Sequence, residues 1–141
     1  MAIIVVGVDG SPASLEALRW ALDEARLRAA ALRVVHAWSS LYHGSEIARL
    51  ATEAATREPL QRAAEQTLDA ALAHTPGTET ADIERRVVEG PPTPALIEAA
   101  QGADLLVVGS RGRGGFASLL LGSVSHQCAQ HAPCPIVIVH T

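Results

Sequence analysis

Asp104-Leu105-Leu106-Val107-Val108-Gly109-Ser110-Arg111-Gly112-Arg113-Gly114-Gly115-Phe116-Ala117-Ser118-Leu119-Leu120-Leu121-Gly122-Ser123-Val124-Ser125 is the stretch on which the reading of this chain turns. Leu105 to Val108 has the composition of a strand buried on both faces; a glycine-rich turn carrying two arginines follows, and Gly122-Ser123 can start a helix. Each part suits a phosphate. Gly109, Gly112, Gly114, Gly115 and Gly122 have no Cβ, so a positive φ and a close approach of main-chain N–H groups to a ligand are both open to them. Ser123 offers a hydroxyl or an N-cap, and the unpaired N–H groups of a first helical turn carry partial positive charge. No Asp or Glu follows Asp104, while Arg111 and Arg113 stand in the loop. An acidic chain keeps its carboxylates out of this segment.

Working outward, strands and helices alternate. Ile3 to Val8 is a continuous apolar run, and Asp9-Gly10-Ser11-Pro12 then supplies a turn, an N-cap and a proline for the first helical position. Leu15, Leu18, Leu22 and Ala25 recur at helical spacing, with Glu16, Arg19, Asp23 and Arg26 on the opposite face. Leu32 to Ala37 reads as a second strand. Beyond a loop at Ser39 to Ile47, alanine-rich helical sequence continues to His74, with a break or a new helix start expected at Pro59. Ile83 to Val88 alternates in polarity as a sheet edge does, and Thr93-Pro94 repeats the cap-then-proline pattern before a short helix containing Leu96, Ile97 and Ala100. A helix from Ser123 to His131 and a strand from Pro135 to Val139 complete the series. Such alternation predicts an α/β fold: a parallel sheet with helices on both faces and right-handed crossovers.

In a doubly wound sheet of order 3-2-1-4-5 the direction of winding reverses between strands one and four, and ligands sit beyond their carboxyl ends. Asp9 leaves the first strand there and Gly109 leaves the fourth. Two segments far apart in sequence therefore converge on one crevice.

The spacing Gly109-x2-Gly112-x9-Gly122-Ser123 after a buried strand resembles the nucleotide-binding signature of the ATP-binding branch of the universal stress protein family. Ile3 to Ser11 and Pro133 to Val139 are similar to that family's first and last strands, and the likeness runs nearly end to end. Between Ser39 and Thr80 helical character is all that can be compared. The resemblance implies a single Rossmann-like domain over 1–141, with a five-stranded sheet. It also implies ATP, with or without Mg, as ligand and a nucleotide-dependent stress-response role. Gly7, Val8, Asp9 and Ala37 would border adenine and ribose; Val108, Gly109, Arg111 and Gly112 would wrap ribose and phosphates; Gly122, Ser123, Val124 and Ser125 would bind the phosphates. Some relatives have histidine where this chain has Arg111, a change that adds positive charge. A dimer that binds no nucleotide and a slow ATP hydrolase are the alternative functions.

Composition sets bounds of its own. A chain of 141 residues with net charge −4 and pI near 5.8 is one domain of ordinary size, and no basic stripe for nucleic acid is legible. No apolar run approaches a membrane span and the opening run is too short for a signal peptide, so a cytoplasmic location is expected, with Cys128 and Cys134 as thiols. The chain contains no lysine, which excludes a P-loop. Gly112 to Ala117 fits the G-x-G-x-x-A dinucleotide pattern, but the acidic residue needed about 20 positions later cannot exist after Asp104. His126, Cys128, His131 and Cys134 are dense enough to raise zinc, yet on a helix His126 and Cys128 point about 200° apart. No catalytic set can be assembled around Asp9. Trp38, beside the expected adenine edge, reads as a packing or surface residue ahead of the alternative, stacking on the base. Ile136 to Val139, apolar and guarded by Pro135 alone, reads as an edge strand open to pairing in a homodimer.

Overall fold

A computed structural model of the chain describes residues 1–39, 46–111 and 121–140, with the backbone alone for 46–57. Its elements are β1 (Ile3–Gly7), α1 (Pro12–Arg28), β2 (Ala31–Trp38), α2 (Glu46–Ala73), a 3-10 turn (Thr78–Thr80), β3 (Ile83–Glu89), α3 (Pro92–Ala99), β4 (Leu105–Gly109), α4 (Ser123–His131) and β5 (Ile136–Val139). The strands form one parallel sheet in the order β3-β2-β1-β4-β5. The expected order holds.

Two cores explain why β1 and β4 are apolar at every position. Ile4, Val6, Val34, Leu105 and Val107 face α1 and α2, whereas Val5, Val35, Leu106 and Val108 face α3 and α4. A residue pointing either way from these strands is buried, so no polar alternation can survive. The edges differ. In β3 the exposed Glu84 meets Arg33 at 2.8 Å and Arg86 at 2.9 Å, and its hydrogen bond from Arg33 holds the carboxyl below its ordinary pKa. β5 offers Ile-Val-Ile-Val instead.

α1 begins as its sequence predicts: the Ser11 hydroxyl accepts the Ser14 N–H at 3.2 Å and Pro12 takes the first turn. Its stripe Ala17, Leu18, Ala21, Leu22 and Ala25 is buried on the sheet. Three local expectations are corrected. α2 runs through Pro59 without a break, at the loss of one backbone N–H; farther along, buried Ala64, Leu68 and Ala71 hold the same helix on the sheet. α3 starts at Pro92 with Pro91 as its cap, ahead of Thr93-Pro94. Prolines at the cap, first and third positions cost nothing there, because those N–H groups have no partner in a helix anyway. Gly122, not Ser123, caps α4, since the Gly122 N–H is held by the Ser110 carbonyl at 2.6 Å and Ser123 is already helical.

Candidate functional site

The carboxyl ends of β1, β2 and β4 and the first turns of α3 and α4 enclose a cavity of about 650 Å³. That volume lies within the range of small-molecule sites. Of the residues singled out in the sequence, Gly7, Val8, Asp9, Ala37, Val108, Gly109, Arg111, Gly122, Ser123, Val124 and Ser125 all line it. Gly112 and its neighbours Arg113, Gly114 and Gly115 lie outside the described residues.

The β1 wall is a locked turn. Asp9 Oδ1 accepts the Ser11 N–H at 2.9 Å, the Asp9 N–H is donated to Ser14 Oγ at 3.2 Å, and Ser14 Oγ donates to the Ser11 carbonyl at 3.0 Å. Asp9 therefore shapes the entry to α1 and borders the cavity at once. Gly10 turns the chain there with φ of 83°, a conformation that favours glycine.

On the β4 side, φ is positive at neither Gly109 nor Gly122, so the freedom open to these glycines is not used there. Gly109 is glycine for a packing reason: a Cβ would lie 2.8 Å from the backbone carbon and oxygen of Ala13, so α1 itself occupies the space. Gly122 is extended at φ −71°, and its tether to Ser110 sets where α4 begins. The buried Ser125 hydroxyl reinforces that start, donating within reach of both the Ser110 carbonyl at 3.1 Å and the Gly122 carbonyl at 3.0 Å. Its side chain is consequently a brace for the helix end. The α4 residues that line the cavity are Ser123, which is exposed, Val124 and Ser125, and no backbone carbonyl takes their N–H groups among the described residues. Arg111 is exposed nearby.

α3 meets the same cavity differently. Pro91, Pro92 and Pro94 have no N–H, so of the donors normally unpaired at a helix start only that of Thr93 is left. Gly90, at φ 144°, gives its N–H to the Trp38 carbonyl at 2.6 Å and so ties the end of β2 to this helix start. Trp38 is half-buried and lines the cavity.

His36 is a lining residue that the sequence did not single out. Its Nδ1 lies 2.8 Å from the Val8 carbonyl, which can only accept, so Nδ1 carries the proton and bridges β2 to β1. One histidine in an apolar run has no pattern to announce this; the contact exists only because the sheet sets Val8 beside it.

The arrangement has means for holding an anion next to an apolar group. Asp9 is the carboxylate that lines the cavity among the described residues. Mg²⁺ requires near-octahedral oxygen ligands and is commonly bound through one or two carboxylates plus substrate phosphates, so here phosphate oxygens and water would have to supply most of its shell. The thiols lie apart from this chemistry. Burial pushes Cys128 to about 11, and burial followed by the charge of Asp104 raises Cys134. α4 sends exposed His126 into solvent and Cys128 into the core, as the angle between them requires.

Comparison with known proteins agrees with this architecture. The family model described as "Universal stress protein family" matches residues 1–140. The universal stress protein Rv2623 of Mycobacterium tuberculosis is 41% identical over 139 residues, covering 96% of this chain and 44% of its own length. Rv2624c of the same organism is 33% identical over 141 residues, covering all of this chain and 49% of its own. The chain thus spans about half the length of the curated relatives it matches. Among solved structures, UspA from Lactobacillus plantarum superposes with a TM-score of 0.83 at 22% identity, over 98% of this chain and 97% of that one. A universal stress protein in complex with cAMP superposes with a TM-score of 0.62 at 35% identity, over 99% and 96%. No described helix is long and apolar enough to cross a membrane.

Proposed function

The chain belongs to the universal stress protein family, and we propose that it is an adenine-nucleotide-binding member whose occupancy biases its contacts with other proteins. The observation that carries this is the cleft of about 650 Å³, where the locked Asp9 turn faces the open first turn of α4. Ser123, Val124 and Ser125 direct main-chain donors and the positive end of a helix at one place, which is the physics of phosphate binding. The relative solved with cAMP, 35% identical over nearly the whole chain, supports the nucleotide class.

ATP is the proposed ligand, accompanied by Mg²⁺ held mainly by the phosphates. Gly7, Val8, Asp9 and Ala37 take the nucleoside end, and Val108, Gly109, Arg111 and Gly112 complete the phosphate end with α4. A bound nucleotide stabilises the conformation that binds it, by an amount that grows with the logarithm of its concentration over Kd, and this is how the module acts without turnover. Among the described lining residues the carboxylate is Asp9, whose Oδ1 already accepts the Ser11 N–H, so binding is the proposed role and slow hydrolysis the alternative. A cytosolic location belongs to the same proposal, since thiols such as Cys128 and Cys134 persist in a reducing compartment.

The test is direct. Protein purified from cells is denatured, and the small molecules released are separated by chromatography; an adenine nucleotide near one per chain is expected. An empty wild-type protein that also fails to bind added ATP in calorimetry would contradict the reading.

The apolar β5 edge carries a second proposal, a symmetric homodimer through Ile136–Val139. Light scattering is expected to give twice the chain mass, and a monomer at all concentrations refutes it.

A further inference from the structure

The cavity has one wall from which prolines have removed most main-chain hydrogen-bond donors. Pro91, Pro92 and Pro94 leave the Thr93 N–H as the one unpaired main-chain donor at the start of α3, so this helix end is poorly equipped to receive phosphate as α4 can. Trp38 stands at the same wall, half-buried, with its carbonyl tied at 2.6 Å to the Gly90 N–H immediately before the prolines. Strand end and helix start are thereby joined into one unit. The chain has only two tryptophans, one tyrosine and one phenylalanine, so an indole left half-open on a cavity wall is not a by-product of an aromatic-rich sequence.

We infer that Trp38 is the residue on which the base of the bound nucleotide stacks, with Pro91 and Pro92 closing the same apolar subsite. This rests on the nucleotide reading and adds to it a recognition device: the base is chosen by its flat π-face, and the proline-blocked helix start turns the phosphates toward α4. An aromatic ring under a base contributes enough that its removal weakens binding by about 5- to 150-fold. Proline rings add apolar surface without offering a donor that a phosphate could take.

The test uses three probes in calorimetry: ATP, adenosine, which lacks phosphate, and tripolyphosphate, which lacks a base. Trp38→Ala is expected to weaken ATP and adenosine by about 5- to 150-fold and to leave tripolyphosphate within about twofold, while Trp38→Phe recovers most of the loss. In a Trp20→Phe protein, where Trp38 is the remaining indole, adenosine is expected to change the fluorescence and tripolyphosphate to leave it unchanged. Wild-type affinity for ATP and adenosine in folded Trp38→Ala overturns the assignment. So does equal weakening of all three probes, which marks a structural role, and so does fluorescence indifferent to adenosine. If ATP binds well while Trp38 is indifferent, only this inference falls; if the wild type binds neither ATP nor adenosine, the nucleotide reading falls and this one with it.

Discussion

α3 and α4 both begin at the carboxyl-end rim of the sheet and both turn their first residues toward one cleft, yet the free amides of the two starts have been handled in opposite ways. At α4, Gly122 gives its own N–H to Ser110, and the amides of the cavity-lining Ser123, Val124 and Ser125 have no backbone carbonyl partner among the described residues. At α3, prolines at the cap, first and third positions abolish three of the four donors that a helix start leaves unpaired. Both helices have a macrodipole, but a dipole needs donors in reach to hold an anion closely. The difference teaches that a cleft gains direction by removing donors from one end as much as by presenting them at the other.

The largest expected effect comes from reversing the charge preference of the α4 start. Ser123→Asp adds an acid to a first helical turn, which stabilises the helix by about 0.3–1 kcal/mol. The same carboxylate repels phosphate, with a like-charge penalty of several kcal/mol. Calorimetry is expected to show at least about a 100-fold loss of ATP affinity with an unchanged or higher Tm. Unaltered ATP affinity would remove α4 from the phosphate site and with it the asymmetry.

A smaller effect separates the two walls by their rigidity. In Gly109→Ala the new Cβ meets the Ala13 backbone at 2.8 Å, whereas in Gly7→Ala it meets the Leu96 Cδ atoms at 2.9 and 3.0 Å, the far end of a side chain on α3. Overpacking against backbone costs about 1–3 kcal/mol, and a side chain that swings aside costs less. Chemical denaturation is expected to find Gly109→Ala the more destabilised of the pair. The reverse order would mean that the α3 wall is the stiffer one.

Much of this fold is legible in the sequence. The strands announced themselves because β1 and β4 are buried on both faces, so Ile4 and Val6 on one side and Val5 on the other leave no polar position between them. The switch point followed from the order of the strands, and it brought Asp9 and Gly109 to one cleft. Proline was harder to place. Pro59 and Pro92 present the same ring, and whether a helix passes through a proline or begins at it depends on what the rest of that helix packs against, as Ala64, Leu68 and Ala71 do for α2. Glycine misled in a related way. Gly109 seemed to be there for a ligand, but the close neighbour is the Ala13 backbone, a contact between β4 and α1 that no local pattern encodes. Ser123 and Gly122 each could have capped α4, and the Ser110 carbonyl decided between them.

The central claim is that the amides opening α4, and not the start of α3, hold the phosphates. Amide NMR of ¹⁵N-labelled protein titrated with ATP tests it most directly. The Ser123, Val124 and Ser125 N–H resonances are expected to show the large downfield shifts of charge-assisted hydrogen bonds, with Thr93 moving little. Large shifts at Thr93 with Ser123 to Ser125 unmoved would contradict the account.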